Sequence, residues 1–259
     1  MPRYRLLIEY NGTRYSGWQV QKNARTVQGE LLRAAREVTR RDKLEVYGAG
    51  RTDAGVHALG QVAHLDVAST LPPATLRERL NERLPADIHV RDLRVMTHRF
   101  HARHDAVARR YLYQVSRRRT AFAKPYVWWV RERLDADAMR EAASAFVGRH
   151  DFEAFSDDEA SEKSTLVQVD DVSVEDAGAL VLIRVTGSHF LWRMVRRMVG
   201  VLVAVGSGQL EPSAVGSLMR GTGELPAQLT APASGLFLEA VLYPGETFDA
   251  GQGGPVSIP

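Results

Sequence analysis

Four glycines fall within one fourteen-residue segment, GAGRTDAGVHALGQ at residues 48 to 61. Glycine has no Cβ, so it accepts left-handed backbone angles and lets a backbone approach a ligand closely. The segment therefore predicts a tight loop that presents its polar side chains, Arg51, Thr52, Asp53 and His57, instead of burying them. No Gly-Lys-Ser or Gly-Lys-Thr follows, and the third glycine of a dinucleotide fingerprint is missing, so no nucleotide cofactor is predicted.

Arg51 lies two residues before Asp53, so in an extended segment both side chains would project to the same side. A cation within a few ångströms keeps a carboxylate ionised, and a carboxylate can act as a nucleophile. The same spacing is more often a structural ion pair that holds a turn, and a histidine such as His57 is more often a hydrogen-bonding loop residue than a catalyst. Spacing alone leaves both interpretations open.

Apolar periodicity divides the chain into interleaved strands and helices. Residues 4–10 and 61–67 have strand patterns, and apolar residues recur at helical spacing over 27–38, behind Thr26 as a predicted N-cap. Further strands are predicted at 111–116, 126–130, 166–175, 179–186 and 236–243, and further helices at 76–84, 136–146, 189–205 and after Pro212. Because hairpins and helices occur in both halves, the pattern favours an α+β fold with a mainly antiparallel sheet.

The same pattern suggests where the chain divides. We expect an N-terminal half at 1–107 that carries the glycine-rich loop, a C-terminal half at 108–245 and a flexible tail at 246–259. Residues 156–165 are polar and poor in apolar anchors, so mobility is also expected there.

Composition excludes several classes of function. The chain has no cysteine, so disulfides, thiolate zinc sites, iron–sulfur clusters and a cysteine nucleophile are excluded, and a cytoplasmic location is expected. The longest apolar run, 190–205, contains three arginines, so no membrane span is predicted. His98, His101 and His104 have a regular spacing but no carboxylate pattern beside them, so no metal is predicted, and no cofactor.

The charge permits a nucleic acid partner. The net charge is +3, and all but four of the 34 basic residues are arginine. Arginine binds phosphates and bases with a planar fork, although a GC-rich genome explains the bias equally well. Phosphate-sized basic clusters occur at 40–41, 109–110, 117–119 and 193–197.

The glycine-rich segment resembles the signature of the TruA family of tRNA pseudouridine synthases. Four more segments resemble that family's other motifs, and all occur in the family's order and span nearly the whole chain. They are EYNGTRYSGWQVQ at 9–21, FHARHDAVARRYLYQV at 100–115, GSHFLWRMVRRMVG at 187–200 and APASGLFLEAVLYP at 231–244.

The resemblance implies the pseudouridine synthase fold: two similar α/β-sandwich halves, a mainly antiparallel central sheet and a positively charged cleft between the halves. It implies an isomerase that converts uridine to pseudouridine at positions 38, 39 and 40 of the tRNA anticodon stem-loop, and that works as a homodimer. Two alternatives stay open, namely a catalytically silent RNA-binding module and the same isomerisation on other RNA uridines.

Residue roles follow from the resemblance one at a time. Asp53 matches the nucleophile of a reaction that breaks the uridine N1–C1′ bond, rotates the base and rejoins it through C5. Whether Asp53 attacks C1′ or C6, or instead acts as a base on a sugar proton, stays open. Tyr111 matches a tyrosine that stacks on the target base, Arg196 an arginine that pairs with the nucleophile, and Leu236 an apolar residue beside the base. Arg51 completes the expected catalytic set. The other expected substrate contacts are His57, Arg14, Gln21, Arg109 and Arg110.

Three further expectations concern neighbouring residues. Trp18, in the opening motif, is expected to contact tRNA together with Gln21. A helix over 189–205 would place Arg193, Arg196 and Arg197 on one face. Arg197 is expected to face solvent or a phosphate.

Overall fold

The computed structural model describes residues 1–157, 164–221, 223–248 and 254–258 of the 259-residue chain. Their contacts divide into two units. The first comprises Met1–Val107 and Phe237–Phe248, and the second comprises Ala108–Leu236 and the described residues after Phe248. The segment expected to be mobile lies outside the described residues at 158–163, as does the predicted tail at 249–253 and 259.

The first unit is a sheet with two helices. The sheet is ordered β4-β1-β3-β10, β2 pairs with β3, and each pairing is antiparallel except that of β3 with β10. In β1, every second residue is buried, as its alternating sequence predicts. The elements are β1 (Arg3–Tyr10), α1 (Val27–Thr39), β2 (Glu45–Gly48), β3 (His57–Asp66), α2 (Pro73–Arg83), β4 (Ile88–Met96) and β10 (Leu236–Leu242).

The strands of the second unit are ordered β5-β9-β8-β7 with antiparallel pairings, and the short strand β6 pairs parallel to β5. Strand β9 is buried along its whole length. Helix α4 is buried at every position except Arg196. The elements are β5 (Ala108–Ser116), β6 (Trp128–Trp129), α3 (Ala136–Ala143), β7 (Gly148–Asp151), β8 (Leu166–Ala177), β9 (Leu180–Gly187), α4 (Met194–Gly206), α5 (Ala214–Arg220) and α6 (Leu225–Gln228).

The mixed α/β class with mainly antiparallel strand pairing is confirmed, and two local predictions were wrong. The helix predicted from residue 189 begins only at Met194, because Arg193 has a left-handed backbone with φ of 61°. The strand predicted at 126–130 is a 3-10 turn, Lys124–Tyr126, followed by the two-residue β6.

Candidate active site

Asp53 lies on a short loop between β2 and β3, residues 49–56, which we call the Asp53 loop. Backbone and side-chain hydrogen bonds hold both ends of this loop. Ala49 N–H donates to the Val62 carbonyl at 2.7 Å, and the Gln61 amide donates to the Gly50 carbonyl at 3.0 Å. Val56 N–H closes the turn by donating to the Asp53 carbonyl at 3.1 Å. The loop therefore holds a half-buried aspartate at a fixed place.

The opening motif, residues 9–21, holds the Asp53 loop through backbone hydrogen bonds and close packing. Trp18 N–H donates to the Thr52 carbonyl at 3.0 Å, and Gly55 N–H donates to the Tyr15 carbonyl at 3.3 Å. A Cβ on Gly12 would lie 1.9 Å from the Val56 carbonyl oxygen, so only glycine fits there. The opening motif and the Asp53 loop are therefore packed tightly together, although they are far apart in sequence.

The Trp18 side chain is buried beneath the Asp53 loop and does not reach the protein surface. It is 1% exposed, and its indole ring lies so close to Gly48 that a Cβ there would come within 2.6 Å of it. The expectation that Trp18 contacts tRNA was wrong, because the ring fills the space beneath the loop. Beside it, the Tyr10 hydroxyl is 2.8 Å from the Thr52 hydroxyl, and burial raises the pKa of Tyr10 to about 12.

His57 is 1% exposed at the end of the Asp53 loop. Its Nδ1 accepts a hydrogen bond from Gly12 N–H at 3.0 Å, which places the ring proton on Nε2 in the neutral form. Its ring stacks on Phe237, with centroids 4.7 Å apart and an interplanar angle of 23°. These contacts anchor one end of the Asp53 loop. Phe237 was missed by the sequence analysis, which noted only the strand that contains it.

The remaining predicted residues of the first unit lie at its surface. Arg51 is exposed, and residues 51–53 lie in neither a helix nor a strand, so the expectation that the Arg51 and Asp53 side chains project to the same side stays a prediction. The Arg14 guanidinium pairs with the Asp87 carboxylate at 2.6 Å. The Gln21 amide donates to the Ser16 carbonyl at 2.9 Å.

In the second unit, β5 carries three of the predicted residues in succession. Arg109 donates to the Ser188 carbonyl at 2.6 Å, and Arg110 Nε donates to the Thr186 hydroxyl at 3.3 Å. Tyr111 is 9% exposed, and its ring meets Phe190 edge to face at 5.2 Å. The T-shaped contact fixes the orientation of the tyrosine ring.

Arg196 is held against the segment that precedes β10. Its Nε donates to the Ala231 carbonyl at 2.7 Å, and Ala231 N–H donates to the Arg196 carbonyl at 3.1 Å. The Tyr113 hydroxyl donates to the neighbouring Pro232 carbonyl at 2.7 Å. Burial raises the pKa of Tyr113. Leu236, the first residue of β10, follows this segment and is 5% exposed.

Arg197 corrects a further expectation. It is 5% exposed, it donates to the Ser156 carbonyl at 2.7 Å and to the Ala154 carbonyl at 3.2 Å, and it pairs with the Asp157 carboxylate. Burial lowers the pKa of its guanidinium. These oxygens replace water around the cation, so Arg197 is internal and does not face solvent. Arg193 also differs from expectation, because it precedes α4 and does not share a helix face with Arg196.

Within the part of the chain that the structure describes, no helix has the length and apolar character needed to cross a membrane. In the same residues, no group of three or more histidine, aspartate or glutamate side chains is placed to hold a metal ion.

Comparisons with known proteins agree on one family. A family model described as tRNA pseudouridine synthase matches residues 6–105 and 142–244. The chain is 43% identical over 246 residues to tRNA pseudouridine synthase A of Rhodopseudomonas palustris strain BisA53, covering 94% of this chain and 100% of that protein. It is 45% identical over 241 residues to tRNA pseudouridine synthase A of Syntrophotalea carbinolica. This match covers 92% of this chain and 95% of that protein.

The match to a solved structure is weaker than these sequence matches. It relates 77% of this chain to 45% of a chain in the crystal structure of a Cbf5-Nop10-Gar1 complex, with a TM-score of 0.32 and 13% identity. No residue role is transferred from it.

Proposed function

Because this chain belongs to the tRNA pseudouridine synthase family, it is an isomerase of uridine in tRNA, and we propose that it acts on the anticodon stem-loop with Asp53 as its nucleophile. The proposed targets are the three adjacent stem-loop positions named above. The resemblance of five motifs to the TruA family supports both parts of the proposal.

One observation carries the assignment of Asp53. The carboxylate stands half-buried on a loop whose backbone is held by residues 10–18 below it and by β3 beside it. Side chains on such a loop lose little freedom when a substrate arrives, which favours attack from a fixed position.

The proposed chemistry balances without a further reactant. Asp53 forms a covalent bond to the nucleotide, at C1′ or at C6, and the N1–C1′ bond breaks. The base turns, C5 bonds to C1′, and the bond to Asp53 breaks. C5 loses its proton to solvent and N1 takes up a proton, so the product is an isomer of the substrate. Nothing is oxidised, reduced or hydrolysed overall, so the chain's own side chains supply the acid–base and electrostatic steps.

The other predicted residues receive roles in the same proposal. Tyr111 stacks on the target base, which must first leave the RNA stack at a cost of a few kcal/mol. Stacking on an aromatic ring returns about 1 to 3 kcal/mol. Arg196 and Arg51 stabilise the carboxylate, and Leu236 packs beside the base. His57 acts indirectly, by holding the Asp53 loop to Gly12.

We also propose that the protein works in the cytoplasm as a homodimer. Its tRNA substrate is found in that compartment, and a chain without cysteine suits a reducing environment. The homodimer is implied by the resemblance to the TruA family. Sedimentation velocity at micromolar concentration tests it: a species of twice the chain mass supports it, and a single monomeric species contradicts it.

The decisive experiment follows tritium release from C5-labelled uridine in unmodified tRNA. Native protein should release tritium, and mapping of the product should place pseudouridine in the anticodon stem-loop. Asp53→Asn keeps the size of the side chain and removes the nucleophile, so it should release no tritium above background.

Asp42→Asn is the matched control, because Asp42 is an exposed aspartate of the same unit and its variant makes the same change in charge. It should retain native activity. Activity in Asp53→Asn would remove Asp53 from the proposed role, and pseudouridine found only elsewhere in tRNA would contradict the stem-loop assignment.

A further inference from the structure

Residues 117–133 connect β5 to α3 and lie outside both parts of the chain that the family model matches, 6–105 and 142–244. Their charge is strongly biased: one acidic residue, Glu132, stands against six basic ones. The basic residues are Arg117, Arg118, Arg119, Lys124, Arg131 and Arg133. None of the roles assigned above uses this segment.

Two large aromatic side chains of the segment are exposed. Phe122 is 96% exposed, and Trp129 is 42% exposed. The Arg119 guanidinium carbon lies over the Trp129 ring, 5.8 Å from its centroid. An aromatic ring left in water forgoes about 2 kcal/mol of burial energy, and such rings at a surface commonly mark a place of interaction.

The segment holds these rings on a fixed base. Trp129 is in β6, which pairs with Ser116 of β5, and Val130 N–H donates to the Ser116 carbonyl at 3.0 Å. Trp128 turns the other way and meets Tyr113 edge to face at 6.3 Å. Buried anchors recur along the segment at Ala123, Val127 and Val130. An ordered platform loses little conformational freedom on binding.

We propose that Phe122 and Trp129, with the exposed basic residues Arg119, Lys124, Arg131 and Arg133, form a second tRNA-binding surface, which we call the 117–133 surface. Unpaired bases stack on the two rings, and the basic side chains contact the phosphates between them. Exposed aromatics interleaved with arginine are the usual means of holding single-stranded RNA. Identification of the RNA as tRNA rests on the proposed function.

The positive charge of the 117–133 surface favours RNA as its binding partner over a second copy of this chain. In a twofold dimer, the same patch of each copy takes part in one interface. Two copies of the 117–133 surface would then bring like charges together, which opposes association. A phosphate backbone supplies the opposite charge along its whole length.

The test measures tRNA binding and chemistry separately in the full-length protein. In the variant with Phe122→Ser and Trp129→Ser, the Kd for unmodified tRNA should rise about 10-fold or more, because two stacking platforms are lost. The single-turnover rate of tritium release at saturating tRNA should stay within about twofold of native, because the reacting groups are unchanged. Both side chains are exposed, so thermal unfolding should also remain native.

A second variant, Arg131→Ala with Arg133→Ala, tests the phosphate contacts. Its plot of log K against log salt concentration should be shallower than native by about 1.4, the value expected for two single-strand phosphate contacts. Arg79→Ala with Arg83→Ala removes two exposed arginines from α2 and is the control of equal charge. It should keep the native slope.

Native Kd values in the aromatic variant, or a native salt slope in the Arg131 and Arg133 variant, would overturn the proposal. Conversion to a smaller species in sedimentation, with tRNA affinity per chain unchanged, would also overturn it and assign the surface to a second copy. If native protein binds tRNA without releasing tritium, the proposed function fails, while the Kd comparison still decides the role of this surface.

Discussion

At the scale of single residues, the position of Asp53 depends on glycines that lie outside its own loop. Gly12 allows the opening motif to approach Val56 more closely than any side chain would permit, and Gly17, with φ of 92°, does the same at Thr52. The nucleophile loop is therefore placed by backbone contacts, which are sensitive to a single added methyl group.

Gly12→Ala should lower the free energy of unfolding by about 2 kcal/mol, because the new Cβ would overlap the Val56 carbonyl oxygen and force the two segments apart. Its kcat/KM for tRNA should fall as well. Gly50→Ala is the control, since a Cβ there meets nothing within 4 Å. Equal urea midpoints for the two variants would contradict this account.

His64 should make stability depend on pH. It is 1% exposed, its Nδ1 accepts a hydrogen bond from Ala102 N–H at 3.1 Å, and burial, with help from Arg3 and His101, lowers its pKa to about 4. A depressed pKa means that the stabilisation is complete above the unfolded-state value near 6.5 and is lost as the pH falls towards 4. The loss should approach about 3 kcal/mol.

His64→Gln keeps an acceptor for Ala102 and removes the titrating group. Urea unfolding between pH 7 and pH 4.5 should show a shallower decline for this variant than for native protein. Parallel declines would assign the pH dependence to other groups.

At the scale of elements, local signals predicted those parts of the fold whose cause is local. Thr26 caps α1 as its sequence position suggests, and the turn at 176–178 joins β8 to β9. The start of α4 was mispredicted because the apolar run before it continues the helical pattern, while the break is a backbone angle at Arg193. Gly12 and His57, or His57 and Phe237, meet only in the folded chain, and no local pattern encodes such contacts.

Helix α4 gives a case in which packing outweighs helix propensity. Propensity alone favours alanine over glycine by about 1 kcal/mol. A Cβ on Gly200 would lie 1.7 Å from the Leu229 carbonyl oxygen, so Gly200→Ala should destabilise the protein by about 1 to 3 kcal/mol. In α5, a Cβ on Gly216 makes only ordinary contact at 3.5 Å with Arg220, so Gly216→Ala should be stabilising. Thermal unfolding of the pair measures the difference in sign.

At the scale of the whole molecule, the excess of basic residues predicts how tRNA affinity responds to salt. If six or more phosphates are contacted, the association constant should fall by about 10³-fold or more between 50 mM and 200 mM salt. Fluorescence anisotropy with labelled tRNA measures this slope. An affinity that does not change with salt would contradict the assignment of the arginine clusters to phosphate binding.

The first unit takes strands from both ends of the chain: it opens with β1, and Phe237 of β10 supplies the ring against His57. A ribosome releases the chain from its N-terminus, so residues 108–236, most of the second unit, emerge before the Phe237 ring that supports the Asp53 loop. Synthesis that stops early therefore yields chains that carry the nucleophile but lack part of its support. In this topology, the first residues made are among the last to reach their final environment.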